Sequence, residues 1–324
     1  MDKLDIIAGG KAFGNVAQRL LASGMNVNAL RTNDTLRYDE WKNYDEAVVK
    51  AYQKRLVGIA DLRSRGLVYN IADGLGTTVL QFEDQSDITD ANMSMDGITR
   101  GDNDRPEYSM KYLPLPIIHK DFQINVRALT ASRKGNSPLD TTMAELAALK
   151  VAQKQEKLLF QGSSSYAFGG GTIYGYIDFP NRNLETTVNW TSAVGADILG
   201  DVLSMKEKLQ NDMCFGPYVI YVPTTVDTHL DDDFKANSDL TIRQRLLQVA
   251  GIADVKVSDF LATQNIIMVQ MDSQTVRLVE GLPLTNVEWQ IEGNMIFKFK
   301  VMTIAVPQLR ADQAGNCGIC HGSW

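Results

Sequence analysis

The stretch from Tyr112 to Gly162 limits what this chain can fold into more than any other part of it. It reads Y-L-P-L-P-I-I-H-K-D-F-Q-I-N-V-R-A-L, then a polar break, then S-P-L-D-T-T-M-A-E-L-A-A-L-K-V-A-Q-K-Q-E-K-L-L-F-Q-G. The first half predicts an extended strand. Pro114 and Pro116 lack backbone donors, which suits an edge strand or an arm better than a central strand. The second half predicts a long helix over 137–162. Ser137 can cap it, Pro138 fits its first position, Asp140 lies in its first turn and Gly162 closes it. The apolar positions Met143, Leu146, Ala147, Leu149, Ala152, Leu158 and Leu159 form a stripe of core or interface type rather than a cofactor box.

A chain of 324 residues with 44% hydrophobic content can bury a sizeable core, and its length suggests about two domains. The start, Met-Asp-Lys-Leu-Asp, lacks the basic and apolar regions of a signal peptide. No apolar run approaches the ~20 residues that span a bilayer. The expectation is a soluble protein that stays where it is made and uses no membrane. Three cysteines make no disulfide framework, and three histidines, His119, His229 and His321, are thin material for acid–base catalysis.

The net charge of −7 is unevenly placed. Asp73, Glu83, Asp84, Asp87, Asp90, Asp96, Asp102, Asp104 and Glu107 face only Arg100 and Arg105 between Ile71 and Met110. Residues 1–70 are mildly basic. An acidic segment beside a basic arm suggests complementary contacts between copies, and a solvated acidic loop is the equal alternative. No basic patch of the nucleic-acid-binding kind is present.

Residues 1–40 read as an arm with little core of its own. Trp41, Tyr44, Ala47, Val48, Ala51, Tyr52, Leu56 and Ile59 predict a helix between Tyr38 and Arg65. Strands are predicted at Leu67–Ile71 and Thr77–Phe82, joined by a Gly-rich turn and followed by a long polar loop. No neighbouring apolar segment offers to bury this excursion, so packing on another subunit is expected. Further along come a Gly-rich stretch at Ser163–Phe179, a helix near Trp190–Asn211, and a buried strand at Phe215–Pro223. A helix at Thr241–Ala250 and strands at Asp254–Val257 and Ile266–Met271 follow. A helix or turn at Asp272–Val279 and strands at Thr285–Gln290 and Phe297–Val306 complete an α+β pattern.

This order resembles the HK97-type shell fold, shared by major capsid proteins of tailed bacteriophages and by encapsulin nanocompartments. The extended arm feeding a helix that stops at L-L-F-Q-G is similar to that fold's E-loop return strand and spine helix. Gly171-Thr-Ile-Tyr-Gly175 with Pro180 resembles the turn after the spine, and Gly216-Pro217-Tyr218 the start of the next strand. The resemblance spans roughly residues 65–310. It implies an N-terminal arm and helix (1–70), an E-loop (71–128) and a peripheral domain (129–214 and 293–310) with the spine helix 137–162. It also implies an axial domain (215–292) and a C-terminal tail (311–324). The extra residues before Trp41 and the long acidic excursion favour a phage capsid over an encapsulin shell. The implied function is self-assembly, as hexamers and pentamers, into an icosahedral virion shell around double-stranded DNA, held without sequence-specific binding. Such a shell forms in the bacterial host cytoplasm. Implied partners are scaffolding, portal and decoration proteins.

An enzyme is not expected, and no catalytic, cofactor-binding or metal residue is assigned; a small-oligomer enzyme stands as the competing class. Cys317-Gly-Ile-Cys320-His321 has the spacing of c-type haem attachment, and supplies three zinc ligands to which Cys214 or another subunit's tail would have to add a fourth. A tail disulfide is another reading, and a reduced, exposed polar tail is preferred. Gly169–Gly171 before Thr172 lacks a P-loop's Lys-Ser/Thr pair and reads as a flexible turn. His229 with Asp231, Asp232 and Asp233 reads as a solvated loop, and His119 as a surface or interface residue. Lys111 and Lys120 lie where some shells of this fold cross-link, but no motif here assigns that chemistry.

Overall fold

The structure is a computed structural model that describes residues 57–91, 93, 95, 105–127, 130, 142–235, 240–291 and 295–324. The expected arm, most of the helix before Arg65, and the Ser137–Pro138 helix start lie outside the described residues. In chain order the elements begin with α1 (Gly58–Ser64), β1 (Val68–Asn70), β2 (Val79–Gln85), β3 (Tyr108–Pro114) and β4 (Ile118–Asn125). Then come α2 (Thr142–Gln161), β5 (Ser163–Phe168), β6 (Gly171–Ile173), β7 (Asn183–Thr186), α3 (Gly195–Asn211), β8 (Tyr218–Pro223), α4 (Thr224–Leu230) and α5 (Ile242–Leu247). The last strands are β9 (Ile252–Ser258), β10 (Asn265–Gln270), β11 (Val276–Ile291), β12 (Ile296–Leu309) and β13 (Ile319–Ser323).

The chain divides into two compact units: Met1–Lys54 with His119–Val151 and Leu284–Met302, and Arg55–Ile118 with Ala152–Pro283 and Thr303–Trp324. In the first, Phe297 and Phe299 form a small core against Phe122, Ile124 and Val126, with Phe122 stacked on Phe299 at 4.9 Å. The long strands β11 and β12 each have residues in both units. They belong to a four-stranded sheet of order β1-β11-β12-β4, which places β4 at an edge, as its flanking prolines suggested.

The second unit is built on a five-stranded sheet of order β7-β13-β10-β8-β9. All six residues of β8 are buried, which is why its sequence is an unbroken apolar run. On one face Ile198, Val202, Met205 and Leu209 of α3 pack with Tyr218, Ile220, Val222, Met268 and Cys320. These α3 residues recur at three- and four-residue steps. The helix starts at Gly195 rather than near Trp190. Trp190 instead lies buried beneath it and donates its indole N–H to Asp201. The cap of α5 is a capping box in which Thr241 accepts from the Gln244 N–H and the Gln244 side chain accepts from the Thr241 N–H.

Several expectations are corrected. Residues 311–324 are not an exposed tail: β13 lies inside the five-stranded sheet, antiparallel to β10 and parallel to β7. Residues 272–279 hold a turn at Asp272–Thr275 followed by the start of β11, because Leu278 and Val279 are buried strand positions. The extended stretch from Tyr112 is two strands in two sheets: β3 ends at Pro114, and β4 begins at Ile118, after Pro116. The buried stripe of α2 is Ala144, Ala147, Ala148, Val151, Ala152, Gln155, Glu156, Leu158 and Leu159. Met143 and Leu146, counted in the predicted stripe, are about half exposed (49% and 52%).

The excursion at 71–128 is not left without partners, and Gly169–Gly171 is not a loose turn. Gly169 and Gly170 take positive φ (60° and 83°) at the tip of a β5–β6 hairpin that packs against the β2–β3 hairpin. A Cβ on Gly171 would lie 2.2 Å from the Tyr112 carbonyl oxygen. Gly171→Ala is therefore expected to lower stability by about 2–3 kcal/mol in urea unfolding. Gly200→Ala, mid-helix in α3 with nothing within 4 Å of the new methyl, should raise it by roughly 0.5–1 kcal/mol.

Candidate functional site

The surface most suited to contact with another molecule is the β2–β3 hairpin. Register pairs Gln81 with Tyr112, Glu83 with Met110 and Gln85 with Tyr108. These six side chains share one face because strand side chains alternate. Tyr108, Met110 and Tyr112 remain exposed there, and so do Ile88, Met93 and Met95 beyond the strands. The opposite face turns inward. It carries Leu113, which is buried, and Asp84, whose carboxylate meets Lys111 at 3.8 Å with only 11% of its side chain exposed. Burial raises the Asp84 pKa, against the pull of Lys111 and Arg310. Asp84 is therefore committed within the chain, whereas Asp87 and Asp90 are exposed.

A buried polar cluster fixes α1. Glu156 of α2 accepts from the N–H groups of Gly58 (2.8 Å) and Ile59 (3.3 Å), satisfying donors that a helix start leaves open. Burial pushes its carboxyl up to about 7, with the backbone donors working the other way. Asp61 of α1 is buried too, which alone would raise its pKa. Lys256 at 2.7 Å, Arg65 at 3.0 Å and the Tyr221 hydroxyl at 3.0 Å outweigh that and hold it below the ordinary value. This cluster joins α1 to β8 and β9. Tyr221 also packs edge-on against Phe160, 5.1 Å between centroids.

The candidate chemical groups are dispersed. Cys317 and Cys320 are buried, and burial pushes both thiols up to about 12; half-buried Cys214 is pushed to about 11. Cys320 packs into the core under α3, while His321, the next residue of β13, faces the other side of the sheet. There its ring is held by Asn265 (3.0 Å) and by the Arg182 Nε–H (3.4 Å). Burial, helped by Arg182, lowers its pKa to about 4, so the ring is neutral. Haem attachment needs both sulfurs and the ring on one open side, whereas both cysteines are buried and Cys320 and His321 lie on opposite faces of β13. His229 sits at the end of α4, bonded to Asp232 (2.9 Å) and to the Ala193 carbonyl (2.7 Å). Asp231 and Asp227 bind Arg243 and so join α4 to α5, while Asp231, Asp232 and Asp233 stay exposed, as the solvated-loop reading expected. His119 is half exposed beside Asp121. Among the described residues no group of three or more His, Cys, Asp or Glu is placed to hold a metal ion. Nor, among them, is any helix long and apolar enough to cross a membrane.

A family model described as a family of unknown function, DUF6260, matches residues 28–322. The chain belongs to this DUF6260 family. By sequence it is similar to the type 1 encapsulin shell protein EncA of Myxococcus xanthus (strain DK1622), 26% identical over 219 residues, which are 64% of this chain and 69% of that protein. By structure it is similar to the virus-like particle protein from Pyrococcus furiosus. That match has TM-score 0.62 and 14% identity, and covers 88% of this chain and 99% of that one. It is also similar to the capsid of Myoviridae phage XM1, with TM-score 0.65 and 11% identity, covering 83% of this chain and 93% of that one. The fold is the HK97 shell fold, and the sequence is similar to that of an encapsulin shell protein. Its relatives are structural shell proteins, not enzymes.

Sequence reasoning missed Glu156, Asp61 and β13. A carboxylate inside a helix stripe was a signal for the first. For β13, I-C-H-G-S carries no strong alternation, and only its place between β7 and β10 reveals it.

Two predictions follow from the buried groups. The Glu156 carboxyl titrates higher in the folded chain than its ordinary 4.5, so its ionisation opposes folding. Its cost is absent below about 4.5, grows as pH rises toward 7 and is fully present above that. Urea midpoints at pH 5 and pH 8 should show Glu156→Gln removing about 2 kcal/mol of this pH dependence. Thiol titration of the native chain should modify Cys214 first. Cys317 and Cys320 should react on the order of a hundredfold more slowly until urea exposes them.

Proposed function

We propose that this protein works by self-assembly, as the major capsid protein that builds the icosahedral shell of a tailed bacteriophage around double-stranded DNA. The observation that carries the assembly reading is the face of the β2–β3 hairpin. It holds Tyr108, Met110 and Tyr112 exposed at 60%, 50% and 37%, on an element anchored to the rest of its unit by its other face. A contiguous apolar face of this kind, rimmed by Gln81, Glu83 and Gln85, suits burial against a neighbouring copy. Cys317, Cys320 and His321 are buried in and beside the sheet, which gives a catalytic reading no support.

Within this reading, residues 71–128 act as the E-loop and the 129–214 and 293–310 segments form the peripheral domain around α2. The five-stranded sheet serves as the axial domain, drawing in β7, α3 and β13 from outside 215–292. Copies would gather as hexamers and pentamers, with scaffolding, portal and decoration proteins as partners, in a bacterial cytoplasm. The long 86–107 connection between β2 and β3 supports the phage form. The likeness to EncA favours a second reading, a protein nanocompartment shell. Particles purified from the source cells separate the two: nuclease-protected double-stranded DNA fits the capsid, and a co-purifying protein cargo fits the compartment.

Negative-stain images of the expressed chain, alone or with its scaffold, should show closed shells or capsomers. Tyr108→Asp with Met110→Asp should abolish them while shifting the melting temperature of the unassembled chain by no more than about 2 °C. A wild-type protein that stays monomeric under all these conditions would sink the proposal.

A further inference from the structure

The E-loop hairpin is fastened to its own chain at two ends. At its root, Gly74 crosses β11 so closely that a Cβ would lie 2.1 Å from the Gly281 carbonyl oxygen. At the far end, the Gln313 amide nitrogen donates to two backbone carbonyls, Asp84 on β2 and Glu107 beside β3, both at 3.0 Å. A single amide group thus holds both sides of the hairpin, where Ser86 and Glu107 make the last rung between them.

The loop that presents Gln313 is braced before it reaches the hairpin. It spans the gap between β12 and β13. The Arg310 N–H donates to the Thr275 carbonyl at 2.9 Å. The Asp312 carboxylate accepts from both the backbone and the side chain of Asn316, each at 2.7 Å. Gly315 turns the chain with φ 92°. The Cys317 N–H then donates to Asp212 at the end of α3, at 3.0 Å. A cavity of about 430 Å³ lies between the hairpin, β6 and this loop, lined by Phe82, Lys111, Tyr112, Tyr174, Phe179 and Asp312. This half-open cleft leaves part of the hairpin unpacked on that side, so the bonds from Gln313 are a directional restraint at its far end.

We infer that the Arg310–Cys317 loop is a strap and Gln313 a positioning residue, holding the hairpin in the orientation from which it joins a neighbouring copy. Its consequence for assembly rests on the hairpin being the assembly element proposed above.

Hydrogen exchange on the unassembled chain tests the strap directly. Gln313→Ala, and Gln313→Glu, which keeps the length but cannot donate, should speed exchange in peptides 79–86 and 107–114 roughly three- to tenfold, the range expected for losing one or two exposed hydrogen bonds. Amides of β8 and β10 should stay at wild-type rates. Gln313→Lys, which restores a donor, should recover most of the protection. Assembly followed by light scattering should slow in the Ala and Glu variants and recover with Lys. Unchanged exchange in the hairpin peptides overturns the inference. A rise shared equally by β8 and β10 also overturns it, since the loss would then be of the fold. Faster exchange with unaltered assembly rates overturns the positioning role. A wild-type chain that never assembles defeats the proposed function instead, and the exchange comparison still decides the strap.

Discussion

The pairing of β13 with β10 and β7 is the interaction on which the larger unit depends. The strand lies inside a five-stranded sheet, so its backbone donors and acceptors supply rungs on both sides. Removing it would leave β10 with an open edge and bare the Met268 and Ile266 side of the core under α3. Gly322 belongs to this fit, since a Cβ there would sit 2.9 Å from the Thr187 methyl. The loop before this strand, turned at Asp312–Asn316, presents Gln313 to the hairpin.

That arrangement couples two regions far apart in sequence. The hairpin's inward face and its ends are tied within the chain, and its outward face keeps aromatic and Met side chains in solvent. An element of this kind suits association because it loses little conformational freedom when a neighbour covers it. Its inward charge, Asp84, is already engaged with Lys111, whereas Asp87 and Asp90 stay exposed.

The buried polar groups serve architecture rather than chemistry. Glu156 ends a line of unsatisfied donors at α1, and Asp61 ties that helix to β8 and β9 through Tyr221 and Lys256. Each is acceptable in the interior because it has specific partners. Cys317, Cys320 and His321 share a motif but not a site. They lie in or beside a strand whose pleat sends neighbouring side chains to opposite faces, and strand geometry overrides the spacing that suggested ligation.

Local signals decided the parts of this protein that local physics controls. The apolar run at Phe215–Pro223 announced a buried strand, which begins at Tyr218 after an exposed Phe215, and the 3.6-residue recurrence through Leu159 announced the long helix that Gly162, at φ 66°, closes. Pro114 and Pro116 pointed to an edge strand, which β4 is, but not to the break that puts Tyr112–Pro114 and Ile118–Asn125 in two sheets. The order of these elements was enough to suggest the shell fold. What only the tertiary structure decided were pairings between distant segments. These include Ile319–Ser323 inserted between Asn183–Thr186 and Asn265–Gln270, Glu156 reaching Gly58, and Gln313 bridging Asp84 and Glu107. Short polar segments carry no periodicity to reveal a partner. Their backbone groups take whichever partner the packed core brings within 3 Å, and that choice is made in space rather than along the chain.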